Sequence, residues 1–157
     1  MTKFAENTTV SAQSSRAEIE RILERYGADQ FMYGWQDDKA VIGFRMNARM
    51  VRFVLPLPSK TKPEFTHSSR GARTTEAALA LWEKAVRQRW RALALVVKAK
   101  LEAVESEITT FDDEFLAHIM LPGGSGTVGE WMRPQVEQAY LTGRVPEMLP
   151  MLEGPKS

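Results

Sequence analysis

The 157-residue chain contains no cysteine. That excludes disulfides, thiolate metal ligands and cysteine nucleophiles. Only two histidines are present, His67 and His118, and neither sits in a recognisable motif. The longest purely apolar run, Ala92 to Val97, is far shorter than the roughly 20 residues that cross a bilayer. The opening MTKFAENTTVSAQSS lacks the apolar centre of a secretory signal. These absences predict a cytoplasmic protein with no membrane partner. Catalytic constellations are equally scarce. Glu114 and His118 share a helical spacing of four, but a metal site needs three or four ligands and no others stand out. The Pro122–Gly126 stretch, PGGSG, lacks the Gly-Lys-Ser/Thr ending of a phosphate-binding loop. The Asp37-Asp38 pair is better explained as turn chemistry than as paired catalytic carboxylates. The reading is a non-enzymatic protein with neither metal nor cofactor.

What the chain does have is a strong alternating pattern between Phe31 and Leu57. Phe31, Tyr33 and Trp35 fall at every second position, as do Ala40, Ile42, Phe44 and Met46, and then Val51, Phe53, Leu55 and Leu57. Period-two alternation is the mark of a strand with one buried face. Two-residue turns at Asp37-Asp38 and Asn47-Ala48 fix the register by counting. Phe31 then opposes Phe44 and Val51, Tyr33 opposes Ile42 and Phe53, and Trp35 opposes Ala40 and Leu55. Every rung is apolar, which a slip of one residue would destroy. The other face carries Met32, Gly34, Val41, Gly43, Arg45, Met50, Arg52 and Val54.

Helical signals flank this meander. Ser15 and Glu18 have capping-box spacing ahead of the stripe Ile19, Ile22, Leu23 and Tyr26, and Gly27 ends the segment. Residues 1–13 are polar and predicted to be disordered. Residues 56–75 read as a long basic loop. Thr74 or Thr75 then caps a helix in which Leu79, Trp82, Val86, Trp90, Leu93, Val97, Leu101 and Val104 recur at spacings of three and four. At 1.5 Å per residue this helix exceeds the span of three short strands, so it requires a further partner, either the acidic C-terminal segment or a second copy. Thr110 caps a short acidic-fronted helix, and Thr127 with Glu130 caps a final one that Gly143 closes. Pro134 inside that last helix predicts a kink or a later start. The Pro-rich tail, 144–157, carries Met148, Leu149, Met151 and Leu152, which are expected to pack back on the core. The fold class is α+β, a single domain over 14–143: a three-stranded antiparallel meander packed against a long amphipathic helix, with N-terminal and C-terminal helices.

Net charge is only +1, but its distribution is uneven. Residues 60–105 hold ten Lys/Arg against five Asp/Glu, and residues 106–157 hold three against eight. The candidate nucleic-acid contacts are Arg45, Arg49 and Arg52 on the meander, Lys60, Lys62, Arg70 and Arg73 in the loop, and the helical stripe Lys84, Arg87, Arg91 and Lys98. Phosphate neutralisation would supply the affinity, with Tyr33, Phe65 or Trp90 stacking bases. The acidic end and the surplus helix length support the alternative, a module that docks on, inhibits or recruits a host protein. A homo-oligomer fits either reading.

Two segments, RWRALALVVKAKLEAVESEITTF and TVGEWMRPQVEQAY, resemble a family of small proteins encoded by phages and prophages of Gram-negative bacteria, with the likeness covering residues 16–150. The resemblance implies a phage setting inside a bacterial host and carries no functional residues over. The order of short helix, meander and long helix is also similar to the core of Rad52-like single-strand annealing proteins, which implies single-stranded DNA as the ligand.

Overall fold

The computed structural model describes residues 3–36 and 38–145. The meander forms in the register that turn counting gives. Strands β1 (Gln30–Gln36), β2 (Lys39–Met46) and β3 (Arg49–Pro56) pair antiparallel, with Tyr33 opposite Ile42 and Ile42 opposite Phe53. Asn47 and Ala48 both have positive φ, 52° and 59°, as a two-residue turn matched to the strand twist requires. The inner face of the sheet carries the buried Ala40, Ile42, Phe44, Met46, Val51 and Phe53.

Two helices lie against that face. Helix α1 (Lys3–Arg25) presents the buried Ile19, Ile22 and Leu23, and Gly27 ends its C-terminal turn at φ 102°. Helix α3 (Thr75–Glu105) follows the four-residue α2 (Pro63–Thr66) and the small β4–β5 hairpin (His67–Ser68, Gly71–Ala72). Thr74 caps α3 by accepting from the Ala77 N–H, and Trp82, Val86, Trp90, Leu93, Val97 and Leu101 are buried along it. The Tyr26 hydroxyl reaches Glu102 at 2.6 Å, while Arg16 lies over Tyr33, whose ring is 5.6 Å from that of Trp90. Helices α1 and α3 therefore run in the same direction.

Three expectations are corrected. The first helix begins at Lys3 rather than at Ser15, so residues 3–13 are helical and the Ser15–Glu18 pair lies inside the helix. Once the second half is held by packing, each added residue costs little, because nucleation is the expensive step. The main partner of α3 is α1, which the sequence pattern does not name, while α4 (Phe111–Phe115) of the acidic segment also packs on it through Glu114 and Lys100. Finally, the 56–75 segment is not a free loop. Phe65 is buried, the Trp82 indole donates to the Pro58 carbonyl at 2.7 Å, and Arg73 donates to the carbonyls of Glu64 and Phe65. These bonds fold the segment onto α3.

The acidic third wraps back to the sheet. Thr110 caps α4 (Phe111–Phe115), whose Phe115 meets Phe44 and Phe53 edge-on. Ile119 forms a bridge with Val51, and the Met120 N–H donates to the Met50 carbonyl at 2.7 Å, covering part of the free edge of β3. Helix α5 (Val128–Thr142) then starts at a complete Thr127–Glu130 capping box and ends at Gly143 in the left-handed region. It runs through Pro134 without the later start that the proline suggested. Pro134 is exposed, so water can serve the Glu130 carbonyl that lacks its usual donor. The tail residues Met148, Leu149, Met151 and Leu152 lie outside the described residues. No helix among the described residues is long and apolar enough to cross a membrane.

Candidate nucleic-acid interface

The eleven basic residues singled out from sequence do not form one surface. Packing the inner face of the sheet against the buried side of α3 turns the outer sheet face and the solvent side of α3 away from each other. The meander arginines are also engaged. Arg45 holds Asp29 through Nε and Nη2, Arg49 reaches Asp112 at 3.4 Å, and Arg52 pairs with Glu130. Two of these pairs join the meander to the acidic end of the chain. Arg45 holds the Asp29 carboxyl below its usual range, and the Thr127 N–H, followed by Arg52, does the same for Glu130.

The loop cations divide into two kinds. Arg73 is committed to the Glu64 and Phe65 carbonyls, and Lys60 Nζ lies 4.5 Å from the centre of the Trp82 ring. Lys62 stands 4.0 Å from Glu64 in an exposed pair of little energetic weight. Arg70, at the tip of the β4–β5 hairpin, is exposed.

Along α3 the pattern is different. Lys84, Arg87, Arg91 and Lys98 are all exposed, and none forms an ion pair among the described residues. Their rises along the helix are about 4.5, 6 and 10.5 Å, a row of about 21 Å in all. The loop sits beside the Lys84 end of this row. Between loop and helix lies a groove of about 480 Å³ whose walls include Glu64, Arg73, Lys84, Gln88 and Arg89. Arg89 was not legible as a site residue, because on a helical wheel it falls beside the buried stripe. Only the folding of the loop onto α3 gives it a groove to face.

The three aromatic residues expected to stack bases are unavailable. Trp90 is fully buried and Phe65 nearly so, while Tyr33 is enclosed by Trp90, Trp35 and Arg16. The arrangement offers charge along a helix without a stacking platform. The Glu114 and His118 side chains are engaged separately. Glu114 bonds Lys100 at 3.3 Å, His118 stacks on Phe53, and no group of three potential ligands occurs among the described residues. Compared with family models, curated proteins and solved structures, the chain matches none.

Proposed function

We propose that the protein binds the phosphate backbone of nucleic acid through the exposed face of α3, with the Lys62–Arg70 loop and Arg89 flanking one end. The observation that carries this reading is the row Lys84, Arg87, Arg91 and Lys98, exposed and unpaired with any carboxylate among the described residues, whereas the sheet arginines are neutralised within the fold. Phosphates line up along a strand, and a helix offering cations at turn spacing matches a charged line without reading bases. The phage setting implied by the sequence resemblance agrees with an accessory role in DNA metabolism.

The test is charge reversal. The double substitution Arg87→Glu, Arg91→Glu removes two contacts and adds two repulsions, so affinity for a labelled oligonucleotide falls at least tenfold. Reversal of Arg45, already bound to Asp29, leaves affinity nearly unchanged. Equal effects at the two places contradict the assignment.

A second reading, docking on a host protein, draws on α5. That helix has no buried residue and exposes Trp131, Val136, Tyr140 and Leu141. Partner capture that survives reversal of the α3 row and is lost on substitution of Trp131 and Tyr140 favours it.

A further inference from the structure

Strand β1 is an open edge. It has β2 on one side and, among the described residues, no strand or bridge on the other. Proteins blunt such edges with charges, proline or bulges. Gln30–Gln36, QFMYGWQ, carries no charged residue and no proline, and its ladder with β2 is unbroken over seven rungs. Met32 and Trp35 are exposed at 52% and 40%.

The direction of its main-chain groups follows from the ladder. The Leu57 N–H donates to the Asp38 carbonyl, so the even-numbered residues of β2 bond toward β3 and the odd-numbered ones toward β1. The Asp29 N–H donating to the Arg45 carbonyl agrees with this. Arg45, Gly43 and Val41 oppose Gln30, Met32 and Gly34, which therefore bond inward. Phe31, Tyr33 and Trp35 direct their N–H and C=O groups at the open side.

The same strand is complementary to itself. If two copies meet antiparallel about a two-fold axis at Tyr33, Phe31 opposes Trp35, Met32 opposes Gly34 and Gln30 opposes Gln36. Tyr33 meets its own counterpart. All three outward-facing residues then pair, which gives six main-chain hydrogen bonds. Aromatic faces aromatic on the inner side, and amide faces amide at the ends. On the outer side the large residue faces the empty one. A Cβ built on Gly34 meets nothing within 4 Å, so the space above it is open to the Met32 side chain of the other copy. That space belongs to an apolar groove of about 310 Å³ floored by Gly34, Val41 and Gly43 and walled by Met32, Met50 and Met120. Across the two-fold axis the grooves of both copies become continuous.

We propose that β1 is a homodimerisation edge, and that two copies join through antiparallel β1–β1 pairing centred on Tyr33 into one six-stranded sheet. This does not rest on the nucleic-acid reading, since it uses only β1 and its ladder with β2. A strand-edge contact is at the small end of specific interfaces, below about 1,200 Å² in total, the class of weak and transient encounters, so the dimer is expected at micromolar concentrations and above. In a non-hydrogen-bonded antiparallel pair the Cα atoms lie about 4.5 Å apart, within disulfide reach, and residue 32 opposite residue 34 is such a pair.

The experiment uses the absence of native cysteine. The double variant Met32→Cys, Gly34→Cys is oxidised and run on a non-reducing gel beside each single variant. Sedimentation velocity of the unmodified protein and of Gly34→Lys, a site with room for a side chain, gives the second readout. The inference predicts a covalent dimer from the double variant only, a concentration-dependent dimer of the unmodified chain, and a folded monomer by circular dichroism for Gly34→Lys. A monomeric unmodified chain at high micromolar concentration overturns it, and so does equal cross-linking by a single variant.

Discussion

The imidazole of His118 lies flat on the ring of Phe53, with centres 4.0 Å apart and planes 19° from parallel. Burial, then the nearby Lys100 charge, pushes its pKa below the ordinary value of 6.5. The folded protein therefore binds fewer protons at this group than the unfolded chain does. Stability from it is complete above about pH 6.5 and falls as the pH drops from there toward the lowered folded value. His118→Phe keeps the stacked ring without a titrating nitrogen. Denaturant titrations across that interval should show a shallower acid decline for this variant than for the parent.

Gly129 separates two opposing effects of a single methyl group. Replacing glycine by alanine within a helix gains about 1 kcal/mol from propensity alone. Here the new Cβ would lie 2.8 Å from the Ala117 carbonyl oxygen, and overpacking of that kind costs about 1–3 kcal/mol. Gly129→Ala is therefore expected to leave stability level or lower it by up to about 2 kcal/mol, and to shift the chemical environment of Ala117. A clear rise in the melting temperature would mean that α5 does not abut the Leu116–His118 turn.

Thr127 is buried and bonds the Glu130 N–H, while Glu130 returns a bond to the Thr127 N–H at 3.1 Å. Thr127→Ala removes half of this box and should cost about 1 kcal/mol, read from the chemical denaturation midpoint. The loss of far-ultraviolet helical signal should be confined to about one helix.

Trp82→Phe tests whether the 56–75 segment is anchored. The substitution removes the indole donor from the Pro58 carbonyl. Cleavage by trypsin at Arg70, on the exposed hairpin tip, should become faster while the core persists. Unchanged cleavage would mean that Phe65 and the Arg73 bonds hold the segment by themselves.

The parts legible in the sequence are those set by local chemistry. Two turns of two residues fixed the strand register by counting, and Thr110, Thr127 and the Thr74-Thr75 pair, of which the structure selects Thr74, marked helix starts because a hydroxyl two or three residues ahead of free N–H groups is a local device. What escaped depends on contacts distant in sequence. Nothing near Ser15 shows that the helix continues back to Lys3, and nothing near Ile119 shows that it will bridge to Val51. The candidate site divides in the same way. The row from Lys84 to Lys98 follows from helical spacing. That Arg45, Arg49 and Arg52 meet Asp29, Asp112 and Glu130 does not, because each pairing needs the folded chain.

The central claim, a line of four cations on α3 that neutralises phosphates, is tested most directly by the salt dependence of binding. Fluorescence anisotropy of labelled single-stranded and duplex DNA is recorded at several salt concentrations with the unmodified protein. Four neutralised phosphates on a single strand give a slope of log K against log salt of about −3, or roughly 50-fold weaker binding between about 50 and about 200 mM salt. A slope near that value, reduced by about half in Arg87→Glu, Arg91→Glu, is the predicted result. Absence of binding at low salt, or binding indifferent to salt, would contradict the account and leave the α3 row as a solvated face.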